Sequence, residues 1–251
     1  MKVLMVGSGN VASVLGRQCK QKGHEIVAIA SRNPQTGMTL SEELNTRFIS
    51  VQDAGNMDAD IFIIAVSDSA VKEVASSLLV PGKLVVHTAG AVSMEVLQNS
   101  SQNYGVLYPL QSLRREMKSI PGVPLLIDGN NDHSLGLLAN LAHSLSENVE
   151  RANDEQRAKL HVAAVFVSNF SNHLYLLAEG YCKAEHLDFK LLYPLIVETA
   201  SRLKDTSPAE LQTGPAFRKD ISTLEKHLRL LSNYPKLKLT YTRLTDSIMN
   251  S

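Results

Sequence analysis

The 251-residue chain has no tryptophan, only 5% aromatic residues, two cysteines and no excess of either charge, because 25 Lys and Arg balance 25 Asp and Glu. Each shortage excludes something. Charge balance removes any general electrostatic reason to expect nucleic acid or an anionic membrane surface as a partner. Cys19 and Cys182 cannot frame a disulfide-rich fold, and they lack metal-ligand spacing, so no metal is expected. They suit a reducing compartment. With no signal-peptide pattern ahead of the first strand-like run, the expected location is the cytoplasm. The longest nearly apolar run, 162–178, contains Ser168, Asn169, Ser171, Asn172 and His173. That is too polar for an ordinary membrane span, and the run reads instead as a buried helix.

What is present is a regular alternation. Strand-like apolar runs at 3–6, 26–30, 48–51, 61–66, 84–87, 105–107 and 125–127 are separated by helical patterns at 11–22, 69–79, 94–98 and 132–146. Strands joined through helices predict βαβ units, a largely parallel sheet and right-handed crossovers. From about residue 153 the strand patterns stop, and helical periodicity fills 154–184, 189–203, 216–231 and 235–248. The expected architecture is therefore α/β, a doubly wound sheet over 1–150 followed by an all-α domain over 151–251. Apolar faces such as Leu191, Leu192, Leu195 and Ile196 predict a homodimer through the C-terminal helices.

Residues 2–12 read as an apolar strand, then Gly7-Ser8-Gly9-Asn10-Val11-Ala12, then a helix. This is the Gly-x-Gly-x-x-Ala dinucleotide fingerprint of the Rossmann fold in its proper context. Gly7 permits the tight turn, Gly9 lets a pyrophosphate approach the backbone, and Ala12 lets the helix lie close to the strand. The second strand ends at Ser31-Arg32, with no carboxylate to hold a ribose 2′-hydroxyl. A hydroxyl and a guanidinium instead suit a 2′-phosphate, so NADP is expected over NAD. Two further strand ends, Ala65-Val66-Ser67 and Thr88-Ala89-Gly90, are expected to line the same crevice. Ser67 or Asp68 is expected to cap the helix that follows.

Candidate chemistry lies in the helical half. His161, Ser168 and Asn172 fall at i, i+7 and i+11, one stripe of an α-helix, with Asn169 about 80° from His161. His161 could pass a proton to a carbonyl or imine while Asn169 holds the substrate oxygen, although a packing network of helix residues would look the same. Arg218 could clamp a substrate carboxylate. Asp220 shares a helical face with His227, and an ion pair at the helix start is the competing reading for both. These features favour an NADP(H)-dependent oxidoreductase of a small molecule, the alternative being a non-catalytic NADP(H)-binding sensor or scaffold.

The motifs together carry a resemblance. Residues 7–12, Ala65-Val66-Ser67-Asp68, His87-Thr88-Ala89-Gly90, Tyr108-Pro109-Leu110-Gln111-Ser112, His161-Val162-Ala163-Ala164 through Asn169, and 213–220 resemble a family of NADP oxidoreductases that joins a Rossmann domain to a helical domain of unknown function, number 2520. The resemblance implies an architecture like that of pyrroline-5-carboxylate reductase and 6-phosphogluconate dehydrogenase, with a second domain that often dimerises. Two positions depart from the family pattern, Lys219 where Gly is usual and Tyr108 where His is more frequent. The Lys-x-x-x-Asn pair of related hydroxyacid dehydrogenases is also missing, since Lys159 is followed at that spacing by Ala163.

Overall fold

The computed structural model describes residues 1–117 and 122–251. Its elements run β1 (Lys2–Val6), α1 (Asn10–Gln21), β2 (Glu25–Ala30), α2 (Pro34–Glu43), β3 (Arg47–Ile49), β4 (Ile61–Ile64), α3 (Asp68–Ser77), β5 (Leu84–His87), β6 (Asn103–Pro109), β7 (Leu125–Gly129), α4 (Asp132–Leu145) and β8 (Val149–Arg151). Helices follow: α5 (Asp154–Ala164), α6 (Ser171–Ala184), α7 (Tyr193–Ser201), α8 (Pro208–Leu211), α9 (Ile221–Leu230) and α10 (Pro235–Met249). The strands form one sheet in the order β3-β2-β1-β4-β5-β6-β7-β8. All neighbours are parallel except β6 and β7, which pair antiparallel. The order reverses between β1 and β4, and in such sheets ligands bind outside the carboxyl ends of the strands at that reversal.

The apolar runs of β1, β4 and β5 are continuous because both faces of the sheet are covered. Alternate residues serve opposite sides. Val3, Met5, Ile61, Ile63, Leu84 and Val86 pack with the Leu15 face of α1 and the Leu138–Leu141 face of α4. Leu4, Val6, Phe62, Ile64 and Val85 pack with Val74 and Ala75 of α3. This period of two turns the apolar strands into the common wall of two cores and holds their carboxyl ends in one row.

Several elements differ from the sequence expectation. Helix α2 escapes periodicity because it buries only Gly37, Leu40 and Ser41, and its start is set by Pro34 at the first turn and the Asn33 side chain accepting from the Thr36 N–H. Residues Met94–Leu97 form a 3₁₀ turn, and β8 is an additional strand. The stretch 154–184 changes winding, because Val165–Phe170 is a π-helical segment between α5 and α6. The run read as a buried helix is exposed in the single chain, with Val162 at 58% and Val167 at 76%. Its polar residues do not face a core of this chain.

Contacts divide the chain into Met1–Ser168 and Asn169–Ser251. Among the described residues no helix is long and apolar enough to cross a membrane, and no cluster of three His, Cys, Asp or Glu side chains could hold a metal. Both cysteines are free and buried, and burial pushes the Cys19 thiol up to about 12.

Candidate functional site

The β1–α1 turn is shaped by the absence of a side chain at Gly7. Its φ is +125°, and a Cβ there would lie 2.1 Å from the Ala65 carbonyl oxygen, while its N–H donates to the Ala30 carbonyl at 2.8 Å. The first loop is thus locked between β2 and β4. Gly9 is the N-cap of α1, makes no side-chain cap and has open space where a Cβ would stand. The first-turn N–H groups of α1 therefore remain available, with no acidic residue beside them to repel an anion. Gly7, Ser8, Gly9, Asn10, Val11, Ser31, Arg32, Ala65, Val66 and Ser67 line one cleft of about 500 Å³. Ala12, which lies outside that lining, is fully buried in the core and lets α1 close on the sheet.

At the β2 end, the Ser8 hydroxyl bonds the hydroxyls of Ser31 at 2.8 Å and Thr36 at 2.6 Å. Arg32 is exposed and pairs with Glu73 at 3.1 Å, a weak solvated contact that a phosphate could replace. The residues present therefore fit a dinucleotide with a 2′-phosphate. Ser67 occupies the N-cap of α3 without a side-chain cap bond, and Asp68 lies in the first turn, so neither caps through its side chain as expected. Both are exposed.

One strand further on, Thr88, Ala89 and Gly90 follow β5, are buried, and lie outside the lining of that cleft. Gly90 makes a close approach possible: a Cβ there would lie 2.6 Å from His161 Nδ1 and 3.0 Å from Tyr108 Cζ. Over it, the Tyr108 hydroxyl and His161 Nδ1 are 2.9 Å apart, with their rings edge to face. Tyr108 is half-buried; burial, and then the charge of Asp68, raise its phenol above the ordinary value, while Arg157 opposes them. Periodicity could not find this partner, because Tyr108 lies on β6, 53 residues from His161. Its only signal was the Tyr-Pro-Leu-Gln-Ser run.

One turn before His161, Arg157 is fully buried and donates to the Val92 carbonyl and to Asp154 Oδ1 at 2.8 Å. Asp154 also accepts from the Met94 N–H. Burial works to raise the Asp154 carboxyl, but hydrogen bonds from Ser93, Arg157 and Met94 outweigh it and hold it below its ordinary value. These bonds clamp α5 to the loop after β5. His87 beneath them is lowered to about 4, first by burial and then by Arg157. Its Nδ1 accepts from the Ala89 N–H, so the neutral ring carries its proton on Nε2, and among the described residues that nitrogen has no partner in good hydrogen-bond geometry.

The remaining candidates lie in the second unit. Asn169 is exposed within the π-helical segment, whose wider turn breaks the α-helical phase relating it and Asn172 to His161. Arg218 is exposed in a turn, since α9 begins only at Ile221. Asp220 is the N-cap of α9, accepting from the Thr223 N–H at 3.1 Å and hydroxyl at 2.7 Å; those bonds hold its carboxyl below the ordinary value. Asp220 stands one residue before α9 and His227 within it, near enough for His227 to add to the lowering of the Asp220 carboxyl, while the His227 ring bonds the Tyr241 hydroxyl at 2.8 Å. Lys219 has φ +54°, which explains structurally why glycine suits this position.

Residues 123–248 match the family model of a domain of unknown function, DUF2520, and residues 2–90 match that of the coenzyme F420-dependent NADP oxidoreductases. Over 100% of this chain and 98% of the other, the fold matches a candidate NADP oxidoreductase of Bacteroides fragilis, BF3122, at 33% identity and TM-score 0.92. The 1-pyrroline-5-carboxylate reductase of Streptococcus pyogenes (17% identity, TM-score 0.63, 100% and 99% covered) has a similar fold. So does an imine reductase of Myxococcus stipitatus in complex with NADP⁺ (15%, 0.64, 100% and 92%). None of the curated proteins matches the chain.

Proposed function

Because the chain belongs to the NADP oxidoreductase family that carries the DUF2520 domain, we propose that it moves hydride between NADP(H) and a small-molecule carbonyl, imine or alcohol, with His161 handling the proton. The cofactor supplies the hydride when bound; binding, orientation and proton handling fall to the chain. The observation that carries the reading is the row of strand ends. Ser31 and Arg32 after β2 suit the 2′-phosphate, Gly7 to Val11 after β1 the pyrophosphate, and the turn after β4 continues the cleft. The turn after β5 then brings Thr88 to Gly90 beneath His161 and Tyr108. In this reading phosphate recognition falls at the β1 and β2 end of the row and proton chemistry at its β5 end.

Division of labour follows, with residues 1–150 holding the cofactor and 151–251 serving substrate and dimer. Asn169 binds a substrate oxygen and Arg218 a substrate carboxylate, while Asp220 holds the turn that presents Arg218. The partner of the apolar helices is a second copy of the chain in the cytoplasm. In the second unit Phe170, Leu176, Leu191, Leu195, Val197 and Phe217 are each more than half exposed, well beyond what a solvated monomer surface carries. A neutral chain has no charge repulsion against itself, and a two-fold contact buries the same face twice.

Calorimetry tests the cofactor reading. NADPH should bind about tenfold more tightly than NADH, about 1.4 kcal/mol, and Arg32→Asp should erase the difference. Equal affinities in the unmodified chain would refute it. His161→Ala should leave NADPH affinity intact and lower turnover of an accepted substrate on the order of a hundredfold.

A further inference from the structure

Resting on that reading of His161, we infer that Tyr108 and His161 are one proton relay, in which the Tyr108 hydroxyl holds the imidazole in the tautomer protonated on Nε2. The substrate class follows: a neutral carbonyl or neutral imine, which must gain a proton with the hydride, rather than a preformed iminium.

Geometry carries the argument. The hydroxyl and Nδ1 are 2.9 Å apart, and among the described residues neither has another hydrogen-bond partner. If Nδ1–H were the donor, the half-buried phenol proton would lose its acceptor. A phenol that donates to Nδ1 satisfies both groups and leaves Nε2–H as the free donor. Gly90 is the position that admits the pair, and the Asp154–Arg157 clamp fixes the loop carrying it against α5. In the step, hydride adds to the substrate carbon and the π pair of the C=O or C=N bond moves to oxygen or nitrogen. That atom takes the proton from Nε2 as the Tyr108 proton passes to Nδ1. Negative charge ends on the Tyr108 oxygen, which water reprotonates; a phenolate is far less basic than an alkoxide, so the transfer runs downhill. An iminium already carries its proton and gives the relay nothing to do.

The test is nitrogen NMR of the full-length chain with ¹⁵N-labelled histidine, the His161 signals being assigned by their loss in His161→Gln. The expected ring has hydrogen on Nε2 and none on Nδ1, and Tyr108→Phe should release it into tautomer exchange. Gly90→Ala should do the same with both ring residues intact. A ring protonated on Nδ1, or one that Tyr108→Phe leaves unchanged, overturns the inference even if Gly90→Ala fails to fold. Tyr108→Phe should also keep its NADPH Kd within about twofold of the parent, and a larger loss of affinity counts against the relay. If the parent chain itself fails to bind NADPH, the functional reading falls while the tautomer result stands.

Discussion

The two units of the chain use apolar residues in opposite ways. In Met1–Ser168 the sheet and its helices bury two continuous cores on either side of one wall. In Asn169–Ser251 the buried apolar side chains are only Cys182, Ala216, Leu224 and Leu231, while larger ones such as Leu191 and Leu195 stand exposed. A sheet closes its own core by folding back through crossovers, whereas a short helical unit has too little interior to cover all its faces. The first unit closes its own cores and so can position groups closely. The second leaves large apolar side chains in solvent, the face that the proposed dimer would cover.

The strongest way to break this contrast is to make the exposed leucines charged. Leu191→Asp with Leu195→Asp should cost about 4 kcal/mol of association, from two side chains at about 2 kcal/mol each, and light scattering should report a monomer. A parent chain that is already monomeric at micromolar concentration would remove the contrast altogether.

Protonation probes the first unit at a comparable scale. His87 is neutral in the folded state with its pKa lowered to about 4, against an ordinary value near 6.5. Its contribution is present above pH 6.5 and is lost as pH falls through that value toward 4, because the unfolded chain then binds the proton the folded one refuses. The expected loss is of order 3 kcal/mol, read as a falling melting temperature across that window. His87→Gln should flatten the slope. A melting temperature that is constant from pH 7 to 4.5 in the parent would contradict the burial of His87.

The smallest effect belongs to the second unit. Lys219 holds φ +54°, so Lys219→Gly should stabilise by about 1 kcal/mol, measured by denaturant unfolding. Destabilisation instead would mean that the lysine side chain makes a contact worth more than the strain.

Local chemistry made much of the first unit legible. Strand, glycine turn and helix follow one another within residues 2–12, so the phosphate cradle is a property of neighbouring residues, and Ser31 and Arg32 are set by the end of the next strand. The absence of a tight periodic face hid α2, and a three-residue strand such as β8 is too short to show a pattern. On 154–184 the α-helical spacing misplaced Asn169 and Asn172 because the winding changes at Val165–Phe170, a feature of hydrogen-bond register that side-chain periodicity does not encode. Asp220 was expected inside a helix and is instead the N-cap of α9, since α9 starts later than its apolar pattern does.

By itself, then, the order of residues determined the α/β wall, the anion-ready start of α1 and the hydroxyl-and-arginine end of β2, because each depends on residues within one or two elements of each other. The tertiary structure alone decided that Tyr108 meets His161, that Gly90 must be bare beneath them and that Arg157 bonds Val92, 65 residues away. Those contacts join β6, the loop after β5 and α5, and a distance of about 3 Å between them is set by how the sheet stacks its strands. No spacing along the chain records it.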